Sequence, residues 1–331
     1  MHFSADGQVL RTVGGVWMAA MRWCCFMVLI IAGASHATIA DARTLEVGPG
    51  KAFALPSEAA RAVRDGDVVQ IAPGNYVDCA VWTGNGLTIE ATGPDVILSD
   101  KSCDGKGIFV INGNDVIVRG ITFQRAAVPT NNGAGIRAQG GNLTIEHSAF
   151  FENQMGVLAT GSPAGTIIVR DSLFARNGCY PQCPEGRSMH ALYVGRPMAL
   201  LRVERSEFTE QHRGHYVKSR ALRSEILDNV IHDGDGGTGS YLIDIPDGGT
   251  LIARGNRLEK GPNAENQEVT IAIGEESQKN ATPEILIENN IFNNRDIAPT
   301  IFVWNFTKTE PSLRENMFQG EVVPLAVGRK K

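Results

Sequence analysis

After residue 40 the chain has no apolar run long enough to span a membrane, and aromatic residues are scarce throughout. Of its 331 residues, 7% are aromatic and 20% are charged. The formal net charge is -5, so there is no basic excess of the kind that nucleic-acid-binding proteins show. These absences exclude a multispan membrane protein. We therefore expect a protein with no integral membrane domain and no nucleic-acid partner.

The N-terminal segment has the pattern of an export signal. Arg22 precedes a short apolar stretch at 23–32, and small residues at 35–40 offer cleavage sites. Residues 1–20 suggest that the start codon is assigned too far upstream, and Met18 or Met21 is the better initiator. The alternative is an uncleaved anchor helix, although the run is short for a bilayer. The pattern predicts export to the periplasm or the cell exterior, with residues 1–40 outside the folded domain.

Four cysteines remain after residue 40, and their spacing favours disulfides. Cys179 and Cys183 are near enough in sequence to close a small loop. Cys79 and Cys103 are 24 residues apart, close to one period of the repeat described next, so we expect them on stacked turns. The alternative is a zinc site, but the close CxxC pairs of structural zinc are missing. Disulfides fit the oxidising compartment that export predicts.

A short pattern recurs along the chain and indicates stacked structural repeats. One copy is Ile145-Glu-His-Ser148-Ala-Phe150, in which an apolar residue precedes Ser by three positions and Phe follows by two. An earlier copy carries Ile121 at the Ser position. Successive copies lie about 23 to 34 residues apart, a period typical of repeat architectures. The Ser or Asn positions are Ser148, Ser172, Ser206, Asn229, Asn256, Asn290 and Asn316.

The repeat predicts an all-β solenoid. Each unit contains short alternating apolar and polar stretches with Gly or Asn turns, and no long 3.6-residue periodicity. The Ser and Asn side chains would line one corner and bond the backbone of the next coil. A leucine-rich repeat has a similar period, but its Leu-rich consensus is absent. The pattern resembles the right-handed parallel β-helix of pectate lyases and related polysaccharide-active proteins over residues 70–320.

This resemblance implies a single elongated domain of eight to ten coils, which we expect to be a monomer. The expected segments are a signal peptide at 1–40, an N-terminal cap at 41–68, the β-helix at 69–320 and a C-terminal tail at 321–331. Residues 56–64 predict a short helix with Ser57 as its N-cap and Asp65-Gly66 at its end. Such a helix would cover the open N-terminal end of the solenoid. Val68 would begin the first strand.

A β-helix binds its ligand on the outside, where residues at the same position of successive coils form a column. Aligning one strand by its inward apolar positions gives the column Arg137, Leu158, Tyr193, Lys218, Asp244 and Ile273. A register slip of one residue would turn Lys218 inward. The candidate substrate-binding residues on or beside the column are Arg137, His190, Arg196, Tyr241 and Glu275.

The local charge favours an anionic ligand at this column. Residues 187–223 contain eight Arg or Lys and three Glu, a net of +5 in a chain of net charge -5. A basic face on an acidic protein suits a uronic-acid polymer. The alternative is ordinary alternation of charges along exposed strands.

Val217-Lys218-Ser219 is similar to the lysine-bearing strand of β-helix lyases that act on alginate or dermatan. The resemblance implies β-elimination with Lys218 as the base, Arg220 neutralising the carboxylate, and Tyr193 or His215 donating a proton. Those families place an Arg about one coil later, where this chain has Asp244. Asp244 can instead pair with Lys218 and keep it charged.

Two alternatives to a lyase remain open. One is a non-catalytic carbohydrate-binding or cell-envelope scaffold protein. The other is a glycoside hydrolase, in which Asp244 and Glu275 would be the two carboxylates.

No cofactor is required by these functions, although Asp233-Gly-Asp235 could hold Ca²⁺. The segment offers two carboxylates in a flexible loop, but it lacks EF-hand spacing. A Gly-rich turn explains the same residues.

Overall fold

The computed structural model describes residues 42–183, 189–295 and 298–328, and these form a right-handed parallel β-helix. The expected fold class is therefore confirmed. Every coil contributes one strand to each of three parallel sheets, which we name A, B and C in the order that the chain visits them. The predicted signal peptide at 1–40 lies outside the described residues.

Sheet A contains β1 Thr44–Val47, β2 Val68–Ile71, β5 Thr88–Ala91, β8 Val116–Arg119, β11 Leu143–Glu146, β14 Thr166–Arg170, β17 Leu200–Glu204, β20 Arg223–Leu227, β23 Thr250–Arg254, β26 Ile285–Glu288 and β29 Ser312–Arg314. Sheet B contains β3 Gly74–Tyr76, β6 Val96–Ser99, β9 Thr122–Gln124, β12 Ala149–Phe151, β15 Leu173–Ala175, β18 Glu207–Thr209, β21 Val230–His232, β24 Arg257–Lys260, β27 Ile291–Asn294 and β30 Met317–Gln319. Sheet C contains β4 Ala80–Trp82, β7 Gly107–Ile111, β10 Ala134–Ala138, β13 Met155–Ala159, β16 Leu192–Val194, β19 Val217–Ser219, β22 Ile243–Ile245, β25 Val269–Ile273, β28 Thr300–Asn305 and β31 Val322–Val327.

The core is a set of ladders of like residues, because coils stack in register about 4.8 Å apart. The inward position of sheet B shows this most clearly. Phe123, Phe150, Phe174 and Phe208 stack with ring centroids 5.3, 4.6 and 4.5 Å apart. These rings are buried, and Val and Ile fill the inward positions of the other two sheets. Residues at the same position of successive sequence repeats therefore stack on one another in the core.

The Ser and Asn positions form the predicted ladder at the turn between sheets A and B. Ser206 N–H donates to Asn229 Oδ1 at 2.9 Å, and Asn229 N–H donates to Asn256 Oδ1 at 3.0 Å. Asn256 Nδ2 in turn donates to Ile226 O at 2.8 Å and to Asn290 Oδ1 at 2.9 Å. The amides satisfy backbone groups that the turn would leave buried and unpaired. The ladder therefore fixes the spacing of the coils.

The N-terminal segment departs from expectation in three ways. The helix α1 is shorter, Pro56–Ala60, and its N-cap is Leu55, because proline suits the first helical position where no N–H is needed. Ser57 lies inside the helix, where its N–H donates to Asp78. The first strand is β1, which pairs with β2, so the cap segment already belongs to sheet A.

At the C-terminal end, the segment expected as a tail begins with β31, which pairs with β28.

At the N-terminal end, helix α1 packs on β1 and β4, as expected of a cap. Within the described residues, no helix combines the length and the apolar character that a membrane crossing requires.

Both expected disulfides form. Cys79 and Cys103 are joined across stacked turns with a Cα–Cα distance of 5.5 Å, and Cys179 and Cys183 close a small loop with a distance of 4.4 Å. With all four sulfurs paired, the zinc alternative is wrong.

The Asn ladder generates the first prediction. Asn256→Ala removes a side chain that donates two hydrogen bonds through Nδ2 and accepts two through Oδ1. Because these bonds lie in a buried chain of amides, we expect the free energy of unfolding to fall by about 2–4 kcal/mol. Urea denaturation followed by circular dichroism measures this change. Asn263→Ala, in an exposed loop, is the matched control and should change the free energy by less than about 0.5 kcal/mol. Equal effects of the two variants would contradict the role of the ladder.

Candidate functional site

The outer face of sheet C carries the predicted column, with one error in its register. Successive strands pair Arg137 with Leu158, Leu158 with Tyr193, Tyr193 with Lys218, and Lys218 with Asp244. Lys218 faces outward, as expected.

The error lies at the next coil, where Asp244 pairs with Ala272 and not with Ile273. Ile273 is fully buried and pairs with Ile245, because Val269, Ile271 and Ile273 form the inward alternation of β25. The column then continues to Trp304, the partner of Ala272.

Three aromatic rings stack beside the column. His190 and His215 have centroids 4.8 Å apart, and His215 and Tyr241 are 4.7 Å apart, with interplanar angles of 9° and 10°. His215 N–H donates to Nδ1 of His190 at 3.0 Å, and Tyr241 N–H donates to Nδ1 of His215 at 3.2 Å. Each Nδ1 is therefore an unprotonated acceptor, and the proton of the neutral ring is on Nε2.

The surroundings of the two histidines favour their neutral forms. Burial, followed by repulsion from neighbouring cations, lowers the pKa values of His190 and His215 well below 6.5. Nε2 of His215 lies 3.2 Å from Asp244 Oδ2, so its proton is directed at that carboxylate. The two histidines are neutral and accept hydrogen bonds from the backbone of the next coil, and the proton-donor role of His215 stays a prediction.

Lys218 is held as a cation by two carboxylates. Its Nζ lies 2.9 Å from Asp244 Oδ2 and 2.6 Å from Glu276 Oε1, and its side chain is only 7% exposed. Burial alone would lower the pKa of Lys218, but attraction to Asp244 and the bond to Glu276 outweigh it and raise the pKa above 10.5. A lysine in this state is a fixed positive charge and a poor base at neutral pH.

Arg220 occupies the rim of the same face and is fully engaged. Its Nε donates to Tyr193 Oη at 3.0 Å, and its Nη1 lies 2.7 Å from Asp247 Oδ1. Its Nη2 donates to Glu276. Desolvation of Arg220 is outweighed by these partners, so its pKa is raised and it remains charged. Arg220 and Lys218 are joined through Glu276, the one residue of the network that is largely exposed.

Glu276 and Asp247 are the site residues that the sequence did not reveal. Glu276 comes after Gly274, whose φ of +76° turns the chain away from β25. Glu276 N–H then donates to Pro246 O at 3.1 Å, which fastens the segment 274–280 to the turn after β22. The sequence signal for Glu276 was the adjacent acidic pair Glu275-Glu276 just after β25. It was missed because placing Ile273 in the outward column shifted the predicted face away from this pair.

Asp244 and Glu275 form a buried carboxyl pair. Lys218 Nζ and His215 Nε2 approach Asp244 Oδ2 at 2.9 and 3.2 Å, whereas Oε2 of Glu275 is buried without a hydrogen-bond partner. Burial, followed by repulsion from Asp244, raises the pKa of Glu275 to about 9. Burial also raises the pKa of Asp244, and Lys218 opposes that rise. The pair therefore holds one proton at neutral pH, on Glu275, with the negative charge on Asp244 facing Lys218.

One group of side chains among the described residues has metal-ligand spacing. Asp244, Glu275 and Glu276 each place an oxygen within 4.8 Å of the others. The ammonium of Lys218 already contacts two of them, and it supplies the positive charge that a metal would bring.

The two Ca²⁺ candidates, Asp233 and Asp235, each have partners within the protein. Asp233 is fully buried and accepts from Tyr216 Oη at 2.7 Å and from Gly261 N–H at 2.8 Å. Asp235 is exposed and lies 2.7 Å from Arg295. The Ca²⁺ site stays a prediction.

The basic segment 187–223 does not form one basic face. Arg202 and Arg223 lie on sheet A, and both bind Glu225 at 2.6 Å. Arg205 makes two 2.9 Å bonds to Asp171. The solenoid distributes consecutive residues over three faces, and carboxylates in the same strand or one to two coils away pair with Arg202, Arg205, Arg213, Arg220 and Arg223. Arg187 lies outside the described residues.

Arg137 and Arg196 are the exceptions near the column. Among the described residues, no carboxylate lies within ion-pair distance of either guanidinium, and Nε of Arg137 is buried without an acceptor. Burial, and then repulsion from Arg196, lowers the pKa of Arg137, although an arginine stays charged at any ordinary pH. The two side chains thus leave positive charge uncompensated on this face.

An open groove of about 480 Å³ runs along the rim of sheet C. Its lining includes both neighbours of Arg196 in sequence and the Arg220–Glu276 ion pair. The lining residues are Gly195, Pro197, Arg220, Asp247, Glu276, Ser277, Lys279 and Asn280. The buried Asp244–Glu275 pair lies behind this surface.

No family model and no curated protein sequence matches the chain. Among solved structures, the chain is similar to Escherichia coli YbhC, with 10% identity over 84% of each chain and a TM-score of 0.43. It is also similar to the pectin methylesterase of Aspergillus niger in deglycosylated form, with 10% identity over 84% of this chain and 85% of that one, and a TM-score of 0.35. A third is the A-module of the Azotobacter vinelandii mannuronan C-5 epimerase AlgE4, with 12% identity over 83% and 91% and a TM-score of 0.35.

The carboxyl pair generates a pH prediction. Because the pKa of Glu275 rises from 4.5 to about 9 on folding, its contribution to stability is full below pH 4.5 and is lost as pH rises through about 9. Glu275→Gln cannot ionise and should lose less stability over that window. We expect the melting temperature of the natural protein, relative to this variant, to fall by about 10–20 °C between pH 5 and pH 9.

Glu310→Gln, in an exposed loop, is the control and should follow the natural protein at both pH values. If the melting temperature of Glu275→Gln also changes with pH as that of the natural protein does, Glu275 does not hold the proton of the Asp244–Glu275 pair.

Proposed function

We propose that the chain binds an acidic, uronate-containing polysaccharide along the outer face of sheet C and does not cleave it. The observation that carries this proposal is Arg137, a half-buried guanidinium with no carboxylate partner among the described residues and an Nε without an acceptor. A carboxylate of the glycan supplies that acceptor, in the two-bond geometry that arginine favours.

The surroundings of Arg137 suit the rest of a sugar chain. Arg196 and Lys279, at or beside the open groove, add positive charge. Tyr193 lies between Arg137 and the groove and presents an aromatic ring that can pack against a pyranose. The groove has polar side chains for hydroxyl groups and follows the column, so a linear polymer fits it better than a compact ligand.

The ion pairs of Lys218 support binding over β-elimination. A base must be uncharged and must reach the proton that it removes, whereas Lys218 is charged and covered by Asp244 and Glu276. Hydrolysis is supported no better. The carboxyl oxygens of Asp244 and Glu275 lie within 4.8 Å of each other, closer than the separation of about 5 Å or more between carboxyl groups that flank a glycosidic bond.

The place of action that we propose is the periplasm or the cell exterior. The two disulfides fit an oxidising compartment. Acidic polysaccharides are available there as ligands.

The binding proposal predicts the effect of removing one guanidinium. Arg137→Gln should weaken binding to polygalacturonate or alginate about 10- to 100-fold at low salt, because a charge-assisted hydrogen bond is lost. Calorimetry or glycan-affinity electrophoresis measures the change. Arg257→Gln, an exposed arginine on sheet B, is the matched control and should bind as the natural protein does. Loss of affinity in both variants would mean that only net charge matters.

The non-cleaving mode predicts no unsaturated product. Incubating the protein with each polymer, with and without Ca²⁺, should give no increase in the ultraviolet absorbance of unsaturated uronates and no fall in polymer length. A product that forms with the natural protein and is lost in Lys218→Ala would overturn this mode and make Lys218 the base.

A further inference from the structure

We propose that Glu276 is an internal competitor of the glycan that the protein binds. In the free protein its carboxylate occupies the cation pair of Lys218 and Arg220, and a uronate carboxylate takes its place when the polymer binds. This inference rests on the proposed function and extends it. It adds a contact that opposes binding, and a second carboxylate position beyond that of Arg137.

The contact of Glu276 with the two cations has the geometry of a bound carboxylate. One oxygen lies 2.6 Å from Lys218 Nζ, and the other accepts a hydrogen bond from Arg220 Nη2. A uronate carboxylate offers the same two oxygens and the same charge. Glu276 is also the outermost member of the network, because its side chain is 43% exposed and lines the open groove. A polymer in that groove therefore meets Glu276 before it meets either cation.

Both cations keep a deeper partner when Glu276 leaves. Lys218 retains Asp244 at 2.9 Å, and Arg220 retains Asp247 at 2.7 Å. Breaking a buried ion pair is costly when it leaves one charge without a partner, and here no charge is left in that state. The exchange replaces one carboxylate by another, so the net charge around the two cations is the same before and after it.

Only the side chain of Glu276 has to move. The N–H groups of Glu276 and Ser277 both donate to Pro246 O, at 3.1 and 2.9 Å. Asn280 Nδ2 donates to Arg220 O at 3.1 Å. These bonds hold the backbone of the segment in place, and the groove of about 480 Å³ beside it gives the carboxylate space to rotate into. The exchange therefore needs no opening of the fold.

The tether of Glu276 makes the exchange selective for a polymer. A carboxylate fixed next to its partners competes at an effective concentration on the order of millimolar, so a free carboxylate displaces it poorly. A polymer that is already held by Arg137 is tethered as well and competes on similar terms. Three coil steps separate Arg137 from Lys218, which is about 14 Å at the spacing of about 4.8 Å per coil.

The test measures the affinity of the full chain for decagalacturonate by calorimetry. Glu276→Gln removes the competing charge and should bind the decamer about 3- to 10-fold more tightly than the natural protein does. Glu276→Asp keeps the charge but is one methylene shorter, so it cannot bridge both cations and should also bind more tightly. Glu310→Gln, which removes a charge from an exposed loop, is the matched control and should leave the affinity unchanged.

Each other outcome has a definite meaning. If the natural protein binds the decamer and Glu276→Gln binds it no more tightly, the competition is overturned and the proposed function stands. A gain that Glu310→Gln shares, or that Glu276→Asp lacks, also overturns the competition, because only net charge would then matter. Glu276→Asp alone decides the matter if Glu276→Gln does not fold.

The same titrations separate the inference from the proposed function. If only the Glu276 variants bind the decamer, the competition stands and the proposed function fails for the natural protein. If neither the natural protein nor the variants bind it, both fall.

Discussion

The ion pair between Lys218 and Asp244 determines the chemistry of the outer face of sheet C. The two residues are direct partners on adjacent strands, so the parallel register alone brings opposite charges together. In a nearly water-free position this attraction outweighs the desolvation of the ammonium. Burial, and then repulsion from the negative charge on Asp244, raises the pKa of the neighbouring Glu275 so that it keeps its proton. Glu276 closes the network by bridging Lys218 to Arg220.

The protonation states on this face favour the binding that we propose over bond cleavage. Catalysis by proton transfer needs groups whose pKa values lie near the working pH and which touch the substrate. Here the cations are paired, the histidines are neutral supports, and the carboxyl pair lies behind the surface. The uncompensated charge is instead on Arg137 and Arg196. A rigid ladder of coils holds these residues at fixed intervals, which is the property that recognition of a linear polymer requires.

Much of this fold could be predicted from the sequence because each copy of the repeat corresponds to one coil of the β-helix. The Ser and Asn ladder marks the same turn in each coil, and Phe at the inward position of sheet B marks the same layer. The column from Arg137 to Asp244 follows from the alternation of inward and outward residues along each strand of sheet C.

Ile273 was misplaced because Ile271, Ala272 and Ile273 are all apolar, and only the pairing with the neighbouring strands decides which of them faces inward. Glu276 was missed because its position depends on the left-handed turn at Gly274. The ion pairs of the basic segment could not be read from the sequence either, since most of their carboxylates lie on other coils.

The most direct test is the ionisation of Lys218 itself. Carbon-13-labelled lysine in the intact protein, with Lys218→Arg to assign the signal, allows its Cε resonance to be followed by NMR as a function of pH. The account predicts that Lys218 stays charged throughout the neutral range and titrates above 10.5. A midpoint near neutral pH would contradict it, because Lys218 would then be a competent base and the outer face of sheet C a catalytic one.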